Sequence, residues 1–405
     1  MNTKKIIVKT LVIITGIFLL SAHSAWAEPC SADTNCDGIV STPDLDIFEE
    51  EYYHYDCDPS TQCLNCAGSG MIECGETCVD NSTDESNCGS CGNACGSYER
   101  CDNGTCVVIG IPQPLYLEID VSGGPSASSY PVIGFYSQPP LTDDHKTTKI
   151  MLRKIDVSGT PFLIGSPDNE TGRSPNETQH QVTLTQDYYM GVFEITQRQY
   201  ELVMGTTPSL YAGYMRPVER VSWYTIRGGV WPGSPAGSGQ PAADTFIDKL
   251  RSKTGLNFDL PTEAQWEYAA RATTIRAYND FTKNGGEGAD CTVPWDGADP
   301  NLDPLGRYYY NGGNTNAHAI VGSYQLNLWG LFDMHGNVME WCLDWYGSYS
   351  GDEIDPLGAV SGSNRVHRGG SWNADAGNCR SAHRGTSYAP SDGNDTLGFR
   401  LALPQ

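Results

Sequence analysis

The sequence predicts an α+β domain with long loops, preceded by a small disulfide-rich N-terminal module. All 12 cysteines from Cys30 to Cys106 lie in the N-terminal part, whereas all eight tryptophans after residue 27 lie at or beyond Trp223. Small secreted domains with few large apolar side chains are stabilised by disulfides, whereas aromatic-rich segments build an ordinary hydrophobic core. We therefore expect two parts that are stabilised differently, with the larger domain beginning near Ile150.

Residues 1–27 have the pattern of a secretory signal peptide. Three lysines precede an apolar run at 11–20, and Ala25 and Ala27 flank Trp26 in a small-x-small cleavage site. The run is shorter than the roughly 20 residues of a membrane helix, although an uncleaved anchor is the alternative. We expect a secreted or cell-surface protein in an oxidising compartment, with no membrane span after signal cleavage.

The chain has 405 residues and a net charge of −24. Nucleic acids and anionic membranes are bound by clustered lysine and arginine, so this charge argues against both as partners. Some of the carboxylates are expected to bind calcium, whereas most are explained by a solvated surface.

Residues 28–58 contain one calcium-loop pattern of the EF-hand type. Oxygen-bearing side chains recur at loop positions 1, 3, 5, 9 and 12, with a glycine at position 6 and a backbone carbonyl at position 7. The predicted ligands are Asp33, Asn35, Asp37, Ile39, Ser41 and Asp44. The segment resembles a dockerin repeat, which implies a cohesin-like partner, but dockerins pair two loops and only one is found. The alternative is an Asp-rich turn held by flanking cysteines.

Residues 59–106 form a cysteine-rich module whose Cys-x2-Cys pairs suit either zinc or disulfides. Because the predicted signal peptide directs the chain to an oxidising compartment, we expect disulfides of unknown connectivity. Residues 107–149 carry short alternating apolar runs that predict strands. These strands form either a small sheet on the large domain or a semi-rigid connector.

The large domain, residues 150–405, begins with predicted strands and continues into capped helices. Thr196 with Gln199, and Thr262 with Gln265, have capping-box spacing at helix starts. A further helix is predicted at 244–251. The residues expected to face the core are Tyr200, Val203, Met204, Trp266, Ala269 and Ala270.

Three C-terminal segments, residues 330–342, 365–372 and 398–403, resemble the signature of the formylglycine-generating enzyme family, also called the sulfatase-modifying factor family. The similarity extends over nearly all of residues 150–405. It implies the C-type-lectin-like formylglycine-generating-enzyme fold, which has little regular secondary structure and long loops ordered by calcium.

The resemblance also implies a metal site. Asp333, Gly336, Val338 and Glu340 match the family's calcium position, which combines side-chain carboxylates and backbone carbonyls. The alternative is that the two acids cap turns and pair with arginines. A second family calcium site would include Asn301.

For catalysis the resemblance implies copper held by two cysteines five positions apart. Ala374 occupies the first position and Cys379 matches the second, so the soft thiolate pair that copper(I) requires is incomplete. Cys291 and Cys342 are the other candidate partners for Cys379. Copper is therefore expected as a cofactor only if the chain is an oxidase.

His367, Arg368 and Arg384 are candidates for a pocket that binds an anionic ligand, although residues of these types in terminal strands often make structural pairs. Aromatic loops around Trp231, Trp295 and Trp329 offer stacking surfaces.

Two functions from different classes follow. The first is a secreted, calcium-stabilised lectin-like module that binds an extracellular peptide, glycan or cohesin-like partner. The second is a formylglycine-generating oxidase that converts a sulfatase cysteine to formylglycine, with Cys379 as its catalytic residue.

Overall fold

The computed structural model describes residues 113–404, apart from 158 and 230–238, and short stretches between 72 and 108. The chain divides into two compact units, Met1–Pro112 and Gln113–Gln405. The predicted signal peptide and the predicted calcium loop, with all six of its ligands, lie outside the described residues. Within the part that is described, no helix is long and apolar enough to cross a membrane.

The N-terminal unit is described by two short antiparallel hairpins, β1 with β2 and β3 with β4. These strands are β1 (Ile72–Cys74), β2 (Thr77–Val79), β3 (Glu99–Asp102) and β4 (Thr105–Val108). A disulfide joins Cys95 to Cys106, and Cys101 is also disulfide-bonded. One bridge of the predicted framework is thus described, and the connectivity of the remaining cysteines stays a prediction.

The larger unit is built on a five-stranded antiparallel sheet of order β15-β10-β7-β5-β6. Its strands are β5 (Tyr116–Asp120), β6 (Val132–Phe135), β7 (Lys149–Ile155), β10 (Tyr188–Gly191) and β15 (Ala402–Pro404). The strands β5 and β6 come from the segment whose role the sequence left open. They pair within the main sheet, and the first four residues of β5 are buried, as expected of an interior strand.

Two three-stranded sheets complete the β structure, in the orders β12-β9-β8 and β13-β11-β14. The first contains β8 (Phe162–Ile164), β9 (His180–Thr183) and β12 (Glu353–Ile354). The second contains β11 (Met339–Trp345), β13 (Arg365–Arg368) and β14 (Leu397–Gly398). Each combines one antiparallel and one parallel pairing.

Four α-helices are described between residues 197 and 271. They are α1 (Gln197–Met204), α2 (Trp223–Ile226), α3 (Phe246–Thr254) and α4 (Glu263–Arg271). Both predicted capping boxes are confirmed: the Thr196 and Thr262 hydroxyls each accept from the backbone N–H three residues on, at 3.2 and 3.1 Å. The helix predicted at 244–251 is observed at Phe246–Thr254, two to three residues later. Thr245 caps its start, and Gly255, with a left-handed φ of 74°, ends it.

The predicted buried helix faces are also observed. Tyr200 and Val203 of α1 are buried in the main hydrophobic cluster, and Met204 packs partly against it. Trp266, Ala269 and Ala270 of α4 are buried in a second cluster, on the β8 and β11 side. The described part of the larger unit is therefore a mixed fold of small sheets and few helices.

Candidate functional site

The sheet β13-β11-β14 joins the three C-terminal signature segments. Glu340 of β11 pairs with Arg368 on one side and with Gly398 on the other, and Trp341 pairs with His367. Segments that are tens of residues apart in the sequence are thus neighbours in one sheet.

Glu340 is held by the buried Arg400. The guanidinium donates through Nε and Nη2 to the two carboxylate oxygens, both at 2.6 Å, and the indole Nε1 of Trp266 donates to Oε2 at 2.7 Å. The same guanidinium donates to the carbonyls of Gly191 and Phe332, both at 2.9 Å. Arg400 therefore neutralises Glu340 and ties β10 and the loop before Asp333 to β11.

Asp333 is a buried acid without such neutralisation. Its Oδ2 accepts the Gly322 N–H at 2.6 Å, whereas Oδ1 is buried and has no hydrogen-bond partner. Burial raises the pKa of Asp333 to about 6. Its backbone φ of 57° lies in the left-handed region, which is strained for a residue other than glycine.

Glu194 is a second buried acid at this centre, and sequence reasoning missed it. Its carboxylate accepts from Asn337 Nδ2 at 2.5 Å and from the Val338 N–H at 3.1 Å. Burial, and then the Asp333 and Glu340 carboxylates, raise the pKa of Glu194 well above its usual value. The available signal was a lone acid within an apolar run, residues 192–195.

The predicted calcium residues thus differ in what they offer a cation. Asp333 has a free buried oxygen, and Glu194 lies beside it without a cationic partner of its own, which fits calcium. Glu340 is already paired, which was the alternative for this acid. In the described residues no group of three or more His, Cys, Asp or Glu side chains is arranged to hold a metal ion.

Gly336 shapes the turn between Asp333 and Glu340, and the N–H of Val338 donates to Glu194 at 3.1 Å. Gly336 has a φ of 90°, and a Cβ at this position would lie 2.2 Å from the Arg307 carbonyl oxygen. Only glycine fits this approach, so the turn depends on Gly336.

Asn301 belongs to a separate loop that is centred on Asp299. Its backbone N–H donates to Asp299 Oδ1 at 3.0 Å, and its Nδ2 donates to the Asp290 carbonyl at 2.9 Å. The Asp299 carboxylate also accepts the N–H groups of Thr292 and Val293. These bonds hold the loop around Asp299, and calcium at Asn301 stays a prediction.

The three cysteines of the larger unit are unbridged and buried. Cys379 and Cys291 lie in one apolar cluster, against which Ala374 packs, whereas Cys342 lies in another. Burial raises the pKa of Cys291 to about 11 and that of Cys379 further. Burial thus favours the protonated thiols, and Ala374 supplies no sulfur at the position of the partner thiol.

His367, Arg368 and Arg384 lie in the interior. Arg384 makes a two-pronged ion pair with Glu263, at 2.6 and 2.7 Å, and Arg368 pairs with Glu267 and Glu263. The ring of His367 packs against Tyr388, with a centroid distance of 4.9 Å. The two arginines are thus committed to structural pairs, which was the alternative to an anion pocket.

Of the three aromatic loops, that of Trp231 lies outside the described residues. Trp295 is about half exposed. Trp329 lines a cavity together with Tyr116 and Arg153, neither of which was singled out in the sequence.

Residues 142–404 match the family model of the Sulfatase-modifying factor enzyme 1-like domain. The chain belongs to this family. Chaperone protein LppX of Paenibacillus barcinonensis is 31% identical over 235 residues, which cover 53% of this chain and 79% of that protein. Formylglycine-generating enzyme of Thermomonospora curvata is 26% identical over 294 residues, covering 61% of this chain and 92% of the enzyme. The solved structure of Treponema denticola variable protein 1 matches with 28% identity and a TM-score of 0.50, over 64% of this chain and 96% of that one.

The family match begins at residue 142, close to Ile150, where the sequence predicts the start of the large domain. Membership confirms the family resemblance of the C-terminal signature. It does not decide between binding and oxidation, because relatives named as a chaperone protein and as an enzyme both match.

Proposed function

We propose that this member of the sulfatase-modifying factor family is a secreted, calcium-stabilised binding module without copper oxidation chemistry. The observation that carries the proposal is the state of Cys379. Its thiol is buried in an apolar cluster, its pKa is raised by that burial, and Ala374 occupies the position of the partner thiol. A protonated single thiol is a poor copper(I) ligand.

The calcium part of the proposal is supported by Asp333 and Glu194. Two neighbouring buried carboxylates without a cationic partner are costly, and a bound cation would neutralise them. Calcium also suits the strained 333–338 turn, since it accepts carbonyl as well as carboxylate oxygens. Its contribution here would be to order the loop rather than to take part in chemistry.

Secretion is supported by the pattern of residues 1–27, and the partner class by the modular N-terminal part. We therefore expect an extracellular peptide, glycan or cohesin-like partner. The calcium loop from Asp33 to Asp44 belongs to the same proposal.

The test is a copper(I) titration of the chain with its N-terminal disulfides intact and Cys291, Cys342 and Cys379 as free thiols. It is scored by mass spectrometry together with conversion of a cysteine-containing sulfatase-motif peptide. A formylglycine-generating enzyme run in parallel is the positive control. We expect neither stoichiometric copper nor aldehyde formation, and no labelling of native Cys291, Cys342 or Cys379 by a thiol reagent until denaturant is added. Tight copper with peptide conversion would refute the proposal.

The alternative function, a formylglycine-generating oxidase acting on a sulfatase, is favoured by one observation. Cys291 lies in the same apolar cluster as Cys379, and the Cys291 thiol contributes to the raised pKa of Cys379. If copper binds, Cys291→Ser and Cys379→Ser would each abolish binding, whereas Cys342→Ser would leave it unchanged.

A further inference from the structure

A cavity of about 260 Å³ lies beside the main sheet. Its lining includes neither the buried acids Glu194, Asp333 and Glu340 nor Cys291 and Cys379. It is formed by the start of β5, by β7, and by the loop that contains Trp329. Its lining residues are Leu115, Tyr116, Gln138, Arg153, Phe281, Leu326, Asn327, Leu328, Trp329 and Gly330. The lining contains one cation and no acid, in a chain of net charge −24.

Arg153 provides that cation. Its guanidinium carbon lies 5.2 Å from the centroid of the Tyr116 ring and 5.8 Å from that of Trp329. Its Nη1 donates to the carbonyls of Leu115 and Lys154. Among the described residues, no carboxylate lies within ion-pair distance of Arg153.

The next residue of β7, Lys154, makes ion pairs of its own. Its ammonium lies 2.7 Å from both Asp156 and Asp187. Because no carboxylate of the described residues pairs with Arg153, its positive charge is available to a ligand, and the planar guanidinium fork matches a carboxylate.

The loop that carries Trp329 is held in place by Asn327. The amide oxygen of Asn327 accepts the N–H groups of Trp329 and Leu331 at 3.0 and 3.1 Å, and its Nδ2 donates to the Ala269 carbonyl at 2.8 Å. The aromatic wall is thus anchored to α4 before any ligand binds, which limits the entropy lost on binding.

The rest of the lining combines apolar side chains with Gln138 and Asn327, and part of it is open to solvent. Phe281 is 39% exposed and Leu328 is 50% exposed, so both offer surface to a ligand. The buried Nε1 of Trp329 has no hydrogen-bond partner, which is unusual for a buried indole. An aromatic wall with one uncompensated cation favours a ring that carries a negative group.

We propose that this cavity binds a small ring-bearing carboxylate, with the Arg153 guanidinium binding the carboxylate and the Trp329 side chain packing against the ring. The volume is at the lower end of the roughly 300–1,000 Å³ typical of ligand sites, which limits the ligand to about one ring. The inference rests on the proposed binding function and names its ligand class. A uronic acid and an aromatic acid share this chemistry.

The test is calorimetric titration of the full chain with glucuronate and with benzoate, each compared with its neutral analogue, glucose or benzyl alcohol. We expect one of the acids to bind at a single site and its neutral analogue to bind about tenfold more weakly or not at all. The acid that binds identifies the source of the ligand. Failure of both acids to bind, or equal binding of acid and neutral analogue, would overturn the proposal.

Variants assign the binding to this cavity. Arg153→Gln is expected to lower the affinity for the acid about tenfold or more, and Arg153→Lys to lower it less. Arg276→Gln, at an exposed arginine, is expected to leave the affinity unchanged. Leu328→Glu tests the site without altering Arg153, because an acid at this half-exposed position would repel the ligand. Undiminished affinity in Leu328→Glu and in folded Arg153→Gln would place the binding elsewhere.

The copper and peptide measurement described above is independent of these titrations. Loss of carboxylate binding with no copper chemistry would refute only the ligand class. Copper chemistry would refute the binding-module function itself.

Discussion

Glu340 and Arg400 form a buried ion pair with two contacts of 2.6 Å, and their side chains are 1% and 0% exposed. Neither charge is solvated by water, so each depends on the other. The pair lies where β11 meets the C-terminal segment, beside Asp333 and Glu194, which have no cationic partner of their own among the described residues. The same pair therefore holds the signature segments together and already neutralises Glu340, whose role as a calcium ligand stays a prediction.

Replacing Arg400 with methionine would leave Glu340 buried without its cation. We expect a loss of about 3–5 kcal/mol in the free energy of unfolding, measured by urea denaturation. The matched control is Arg276→Met, which removes an exposed arginine that pairs with Glu287 and Asp290 and should leave the free energy of unfolding nearly unchanged. Equal losses in the two variants would show that the buried pair has no special role.

Gly336→Ala tests the turn between Asp333 and Glu340. The left-handed φ and the 2.2 Å approach to the Arg307 carbonyl act together, so we expect a loss of several kcal/mol or failure to fold. Gly255→Ala is the control, because Gly255 also has a left-handed φ but no atom within 4 Å of an added Cβ. It should cost about 1–2 kcal/mol. A similar small loss in Gly336→Ala would mean that the turn can relax.

The pH dependence of stability is predicted to include a contribution from Asp344. Burial and the nearby Glu263 raise the pKa of Asp344 to about 7, above the unfolded value of about 3.9. Between these two pH values the folded state binds more protons, so this group makes the free energy of unfolding fall as pH rises from about 4 to 7. Asp344→Asn should reduce this fall in urea denaturation across that range.

The control for the pH experiment is Asp168→Asn, because the Asp168 side chain is 97% exposed. Its stability profile should run parallel to that of the unmodified chain. If Asp344→Asn also runs parallel, Asp344 does not titrate in this range.

Calcium is predicted to raise the melting temperature through Asp333 and Glu194. At a concentration 100 times the dissociation constant it would add about 2.7 kcal/mol, which chelator would remove. Asp333→Asn should reduce this calcium-dependent shift, because it replaces the carboxylate whose buried Oδ1 has no hydrogen-bond partner with a neutral amide.

Asp37→Asn separates the two predicted calcium sites, since Asp37 belongs to the N-terminal loop. It should preserve the calcium-dependent transition that Asp333→Asn weakens. A melting profile that is unchanged by chelator in the unmodified chain would contradict both sites.

The local features of the larger unit were predictable from the sequence. Thr196 and Thr262 cap helices because the hydroxyl and the N–H that it satisfies are three residues apart. The family signature was equally readable, because it is spelled in contiguous segments such as residues 330–342. The absence of a thiol at Ala374 could also be read directly.

Only the tertiary structure determines which charged groups and aromatic rings are in contact. Glu194 reaches Asn337 across 143 residues, and Arg153 meets Trp329 only because β7 and the 326–330 loop are packed together. Arg368 and Arg384 could be assigned to ion pairs only once α4 placed Glu263 and Glu267 beside them. The physical reason is that capping bonds act within one turn of the chain, whereas burial and charge compensation depend on segments that become neighbours only in the folded protein.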